Sequence, residues 1–166
     1  MIILAIDPGT SESAVVGYDS DAQTVEFHEI LANADLERRL AIRRGTSHEH
    51  ACVIEMVASY GKPVGVDTFE TVWWIGRFCA TYHRSNGVEP ERIFRKDIKR
   101  HLCGQHNGVS DAMVRQALID KFGPGRELAV GTVKKPGPLH GVRLDEWQAL
   151  AIAVYYAETN IMEPTF

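Results

Sequence analysis

Short apolar runs separated by polar turns dominate the first part of the chain, which predicts β-strands. The first run covers 1–7 and stops at Pro-Gly-Thr, a turn sequence. Two further runs, 13–18 and 24–31, are separated by Asp-Ser-Asp at 19–21. Because the connections are so short, the three strands are predicted to pair as an antiparallel meander.

Beyond this meander, apolar residues recur at helical spacing in several segments, and short apolar runs lie between them. The predicted elements are a strand at 51–57, a helix at 68–83, a short strand at 92–95, a short helix at 96–102 and a last helix at 145–158. Three early strands followed by alternating helices and strands predict an α/β fold. Its sheet is mixed, with three antiparallel strands and then parallel ones, and helices flank it.

Turn and cap residues add detail to this outline. Asn33 or Asp35 is predicted to cap a short helix, and Ser110 to cap another that Gly-Pro-Gly at 123–125 ends. The segment 134–141 is rich in Pro, Gly and Lys, which predicts a flexible loop.

Length and charge narrow the function only a little. A chain of 166 residues fits one domain spanning 1–166, and a net charge of −4 carries no overall nucleic-acid signature. Any binding to DNA must therefore depend on local basic patches. The three cysteines have neither zinc-like nor CxxC spacing, so we expect reduced thiols and a cytoplasmic protein. No apolar run is long enough to span a membrane, and the apolar start lacks the features of a signal peptide.

Three carboxylates stand at unusual positions. Asp7 ends a buried strand, Glu55 interrupts an apolar strand, and Asp145 begins the last helix. Burying such a group is costly unless a cation pairs with it, and carboxylate oxygens are the ligands that Mg²⁺ prefers.

Each carboxylate also has a structural interpretation. Asp7 fits an ordinary turn, Glu55 fits the exposed side of an edge strand, and Asp145 with Gln148 resembles a capping box. Glu146 lies about 100° from Asp145 around the helix, so the two are not expected to serve one site. From the residues alone, metal binding and structural roles both remain open.

Three stretches together resemble the RuvC family of Holliday-junction resolvases, particularly its shorter phage-type members. They are Ile-Leu-Ala-Ile-Asp-Pro-Gly-Thr at 3–10, Cys-Val-Ile-Glu-Met-Val at 52–57 and Asp-Glu-Trp-Gln-Ala-Leu-Ala-Ile-Ala at 145–153. Their order and separation match over nearly the whole chain. The resemblance implies an RNase H-like fold and a magnesium-dependent endonuclease that resolves four-way junctions by paired symmetric nicks.

The resemblance also implies roles for particular residues. Asp7, Glu55 and Asp145 would be catalytic metal ligands for two Mg²⁺ ions, for which Mn²⁺ can substitute. Lys99 would be an electrostatic helper near the cleaved bond, and Tyr60 would contact the junction. One departure is Gln148, which stands where cellular members often carry another acid.

The predicted DNA surface depends on clustered basic residues. Phosphate contacts need positive charge rather than sequence-specific geometry. The residues predicted to supply it are Arg95, Lys96, Lys99, Arg100, Lys134 and Lys135; a further group, Arg38, Arg39, Arg43 and Arg44, fits a solvated helix face nearly as well.

A two-fold homodimer is expected because a four-way junction is itself two-fold symmetric. Three alternatives stay open: broader cleavage of flaps and forks, a non-catalytic junction-binding module, and an actin-like ATPase. The ATPase is included because Asp-Pro-Gly-Thr at 7–10 resembles the phosphate loop of that class. That class needs two such domains, so no nucleotide cofactor is expected.

Overall fold

A five-stranded mixed sheet forms the centre of the protein. The computed structural model describes residues 1–42, 50–59, 61 and 63–161. The strand order is β3-β2-β1-β4-β5. The strands are β1 (Ile2–Asp7), β2 (Glu12–Asp19), β3 (Thr24–Ala32), β4 (His50–Met56) and β5 (Glu91–Phe94). The first three are antiparallel, whereas β1, β4 and β5 run parallel, which confirms the predicted mixed sheet.

Helices cover both faces of this sheet. They are α1 (Asn33–Leu40), α2 (Val66–Asn86), α3 (Arg95–Cys103), α4 (Asp111–Phe122), α5 (Arg126–Ala129) and α6 (Glu146–Tyr156), which continues into a π-helical turn (Ala157–Ile161). On one face α3, α4 and α6 share an apolar core with the sheet, and on the other α1 and α2 do so. Residues 149–154 of α6 are all buried, as expected for a helix that is apolar all round.

Side-chain alternation assigns each strand residue to one of these faces. Ile3, Ala5 and Val53 pack on the α6 side, whereas Leu4 and Ile54 pack on the α1 and α2 side. The two-residue period therefore directs Asp7, the last residue of β1, and Glu55, the last but one of β4, toward the α6 side.

Two local predictions are wrong. The segment 134–141 is not all loop, because β7 (Lys135–Pro136) pairs with β6 (Gly131–Thr132) in a small hairpin. Glycine allows this close approach, since a Cβ on Gly131 would lie 2.2 Å from a backbone oxygen of Lys135. The predicted cap of α1 by Asn33 or Asp35 is also wrong, because Ala32 occupies the cap position and no side chain caps the helix.

The predicted cap of α4 is confirmed. Ser110 Oγ accepts a hydrogen bond from the backbone N–H of Met113 at 3.3 Å, and the helix ends before Gly123. No helix within the described ranges has the length and apolar character needed to cross a membrane.

Candidate active site

The carboxyl ends of β1 and β4 bring two of the predicted carboxylates together. The parallel register pairs Ala5 with Val53 and Ile6 with Ile54, so Asp7 and Glu55 are the next residues on neighbouring strands. Their side chains are only 13% and 11% exposed. The sheet therefore holds two acids side by side at its edge, largely shielded from water.

This burial changes how readily both acids ionise. Burial, followed by the charge of Glu55, raises the pKa of Asp7, and the Arg95 guanidinium opposes the shift. Burial also raises the pKa of Glu55, again against Arg95. Two adjacent buried carboxylates keep their charge only when a cation compensates them.

Asp145, the residue before α6, does not line this cleft but is near enough for its charge to act on Asp7. It is exposed, and its charge contributes to raising the pKa of Asp7. The capping interpretation of Asp145 is wrong, because its side chain accepts no hydrogen bond from the helix and its backbone is already helical. The preceding residue, Leu144, has a positive φ of 47°, an uncommon conformation for a non-glycine residue.

Arg95 supplies the positive charge in this cleft. It follows β5 directly, and its Nε lies 2.8 Å from Glu55 Oε1 and its Nη2 3.5 Å from Asp7 Oδ1. Its Nη1 lies 3.1 Å from Asp111 Oδ1 and 3.3 Å from Gln148 Oε1. Although burial acts the other way, the neighbouring carboxylates raise the pKa of Arg95. Arg95, which was predicted to contact a DNA phosphate, thus lies between the acidic side chains of the cleft.

The donor set has the right chemistry for a hard divalent ion. Asp7, Glu55 and Asp145 offer carboxylate oxygens, the ligands that Mg²⁺ takes in proteins. With Arg95 bridging two of them, no group of three or more His, Cys, Asp or Glu side chains in the described part of the chain is arranged to hold a metal ion. The chemistry of these residues fits the metal, but in the observed arrangement Asp7 and Glu55 pair with the Arg95 guanidinium.

A basic cavity of about 530 Å³ adjoins this acid cleft, and Arg95 lines both. Lys99 Nζ is held at its wall, 2.8 Å from the Val109 carbonyl oxygen and 3.3 Å from Asp111 Oδ1. The residues that line the cavity are Ala58, Ser59, Arg95, Lys96, Lys99, His106 and Asn107. Three of the predicted DNA-binding residues, Arg95, Lys96 and Lys99, thus meet around one space.

The other predicted DNA-binding residues do not line this cavity. Arg100 is exposed and pairs with Asp97 at 3.6 Å, and Lys134 and Lys135 are exposed near the β6–β7 hairpin. Tyr60 lies outside the described residues, as do Arg43 and Arg44 of the first basic group.

Sequence reasoning missed two further acids of the site. Asp67 lines the acid cleft beside Asp7 and Glu55, and Asp111 pairs with Arg95. Each lies in the first turn of a helix, where an acid is ordinarily explained by the helix dipole. Their acidic character was the one sequence feature that could have indicated the site, and the helix dipole already accounted for it.

A buried polar network fixes the turn that follows Asp7. Asn33 Nδ2 donates to the Gly9 carbonyl oxygen at 3.0 Å, and Ser13 Oγ donates to Asn33 Oδ1 at 2.6 Å. Ser13 Oγ also accepts from the Gly9 N–H at 3.2 Å. Asn33, expected as a helix cap, instead positions the end of β1.

Glu146 belongs to a different environment from Asp145, as its angular position predicts. It is only 1% exposed, lies 2.9 Å from His28 Nδ1 and accepts a hydrogen bond from the Arg143 N–H at 2.8 Å. These contacts hold the turn before α6, next to Asp145.

Comparisons with known proteins identify the fold. No protein-family model matches the sequence, and no curated protein matches it. Among solved structures, a Thermus thermophilus RuvC structure is 17% identical, with 95% of this chain and 96% of that chain covered and a TM-score of 0.63. T. thermophilus RuvC in complex with a Holliday junction substrate is 18% identical, with 95% and 93% covered and a TM-score of 0.61. The chain therefore has the RuvC-like, RNase H-like fold that the sequence resemblance predicts.

Proposed function

We propose that this protein is a metal-dependent endonuclease that cuts branched DNA, with four-way junctions as its main substrate. The observation that carries the proposal is the buried pair of carboxylates, Asp7 and Glu55, at the carboxyl edge of the sheet. The fold supports it, because a solved RuvC of the same fold is bound to a Holliday junction. In this proposal each cut is a phosphodiester hydrolysis, made as paired symmetric nicks.

Asp7, Glu55 and Asp145 are the residues proposed to hold Mg²⁺, with two ions expected and Mn²⁺ as a substitute. Their oxygens match the preference of these ions, and the charge of the cleft favours a cation. When bound, such ions lower the pKa of an attacking water and stabilise the departing oxygen. The protein's own part is to hold Asp7 and Glu55 near the ends of neighbouring strands, with Asp145 before α6.

The basic cavity is proposed to receive the DNA backbone. Lys99 is fixed by the Val109 carbonyl and Asp111, so its ammonium group stands beside the acid cleft. There it would stabilise charge developing on the phosphate. Lys96, exposed at the same cavity, would add a phosphate contact. Local positive charge of this kind reconciles DNA binding with a net charge of −4.

A homodimer is proposed to form through α2. Val66, Phe69 and Trp73 leave 75%, 65% and 52% of their surface exposed on this helix. Gly76 continues the same face, and no heavy atom would lie within 4 Å of a Cβ there. A second copy packing by a two-fold axis would cover this apolar face and present two matching sites to a junction. The three free cysteines fit the intracellular setting of a DNA substrate.

The proposal is tested by cleavage of synthetic four-way junctions, flaps, forks and plain duplexes, with and without Mg²⁺. Replacing one charged ligand, Asp7→Asn, is expected to lower the cleavage rate by about a hundredfold or more. Asp120→Asn is the matched control, since Asp120 is exposed on α4 and its side chain bonds to Gln116. The control should cut at the wild-type rate.

Wild-type nicking by Asp7→Asn would refute the assignment of the site. Equal rates on junctions, flaps and forks would leave the nuclease in place but replace junction selectivity with broad branched-DNA cleavage.

A non-catalytic junction-binding module is the second candidate. Arg95 already pairs with Asp7 and Glu55, and Gln148 brings no charge to the cleft. Junction binding in a gel, together with no cleavage in Mg²⁺ or Mn²⁺, would favour this candidate over the nuclease.

A further inference from the structure

Arg95 is held in the acid cleft by side chains from four different elements. Glu55 is the last residue but one of β4, Asp7 ends β1, Asp111 begins α4 and Gln148 lies on α6. All three guanidinium nitrogens find an oxygen partner, at distances from 2.8 to 3.5 Å. A guanidinium fork satisfied on every side is a strong and specific pairing.

The same oxygens are the ones a divalent ion needs. Arg95 pairs with Glu55 Oε1 and Asp7 Oδ1, which belong to two of the three carboxylates in the proposed metal site. A guanidinium and a divalent cation bound to the same two carboxylates would repel each other, and screening is weak beside acids that are only 13% and 11% exposed. The two cations therefore compete for one site.

The displaced side chain has a place to go. Arg95 also lines the basic cavity of about 530 Å³, and 31% of its side chain is already exposed. The Arg95 side chain has several rotatable bonds, so we expect it to turn toward this cavity while β5 and α3 stay in place.

We propose that Arg95 is an exchangeable internal counter-ion: it pairs with Asp7 and Glu55 while no metal is bound, and a divalent cation displaces it into the basic cavity. This inference rests on the metal site of the proposed function. It makes Arg95 the residue that sets how tightly the cleft binds metal, and it prevents weak cations from occupying the cleft.

The test measures metal binding without DNA, by calorimetric titration of the protein with Mn²⁺. Arg95→Gln removes the competing charge and keeps a polar side chain, so the affinity should rise about tenfold, which corresponds to about 1.4 kcal/mol. Arg126→Gln is the matched control. It removes the same charge from an exposed residue of α5 that lines neither the acid cleft nor the basic cavity, and its affinity should stay within about threefold of wild type.

Two further measurements guard against a folding defect. Arg95→Lys keeps a charge but offers no fork, so it should fold and bind Mn²⁺ with an affinity between those of wild type and Arg95→Gln. Mn²⁺ should also raise the melting temperature of Arg95→Gln more than that of wild type, because only the variant begins with uncompensated acids. In protein with ¹⁵N-labelled arginine, added Mg²⁺ should shift the resonance of the Arg95 Nε–H group that donates to Glu55.

The outcomes separate this inference from the proposed function. If Mn²⁺ binds, Asp7→Asn abolishes binding and Arg95→Gln fails to tighten it, the exchange is wrong and the metal site stands. An unchanged Arg95 Nε–H resonance at saturating Mg²⁺ would overturn the displacement as well. If no variant binds either ion, the metal site itself fails and the exchange falls with it.

Discussion

At the scale of single residues, the direction of the Asp7 carboxylate depends on the turn that follows it. Gly9 is required there, because a Cβ would lie 2.3 Å from the Glu12 carbonyl oxygen. Asn33 and Ser13 satisfy the polar groups of this turn while being almost wholly buried. The geometry of the acid cleft is therefore secured by residues that touch no ligand.

Replacing Asn33 by Ala should destabilise the protein by about 1–3 kcal/mol, since the Gly9 carbonyl and the Ser13 hydroxyl lose buried partners. Urea unfolding followed by circular dichroism measures the change. Gln116→Ala is the control, because this side chain is exposed on α4. Equal stability of the two variants would show that the Asn33 network contributes nothing.

At the scale of elements, α1 and α2 are joined by polar contacts as well as by their apolar core. Glu37 accepts hydrogen bonds from Arg77 Nε at 3.1 Å, from the Arg77 Nη2 group and from Thr81 Oγ1 at 3.1 Å. The Arg77 hydrogen bond is the main reason that the pKa of Glu37 lies below its ordinary value. The link therefore requires an ionised Glu37.

This pairing predicts a pH-dependent effect of Glu37→Gln. A pKa that is lower in the folded state adds stability above the unfolded pKa, and this stability is lost as the pH falls through the folded pKa. Because the pair is partly exposed, the free energy of unfolding of wild type should exceed that of the variant by only about 0.5 kcal/mol at neutral pH. Urea unfolding of both proteins from neutral to acidic pH measures the gap. A gap that stays constant as the pH falls below the pKa of Glu37 would contradict the role of its charge.

At the scale of the whole molecule, α2 has one face in the core and another that is apolar and open. Trp73 lies on the open face, where the Arg77 guanidinium is 4.7 Å from its ring centre. The proposed dimer would bury this face, so the two acid clefts of a dimer would have a fixed separation.

Trp73→Lys should convert the proposed dimer to a monomer, because a charge would be buried at the centre of the interface. Sedimentation equilibrium measures the state. Val133→Lys introduces the same charge at a residue that is 88% exposed and should leave the dimer intact. A wild-type protein that is already monomeric would exclude this interface.

The local pattern of the sequence predicted the sheet well and the site only in part. Alternation located β1 and β4, the strands that carry Asp7 and Glu55, since a period of two depends on the strand alone. That the two acids share one face of the sheet follows only from the parallel pairing of β1 with β4. Asp145 came from the family resemblance, as spacing alone favoured a cap. Arg95 and Asp111 could not be placed in the cleft, because their meeting requires the parallel pairing of β5 with β4 and the docking of α4.

The strand order has a consequence for how the chain folds. β1 pairs with β2 through a short turn, but its pairing with β4 closes a much longer stretch of chain, and such long-range contacts form slowly. The meander is therefore expected to form first, with Asp7 alone at its end. Docking of β4 then forces two like charges together, and β5 delivers Arg95 to relieve their repulsion. We accordingly expect a missing guanidinium to slow this late step when no metal is present.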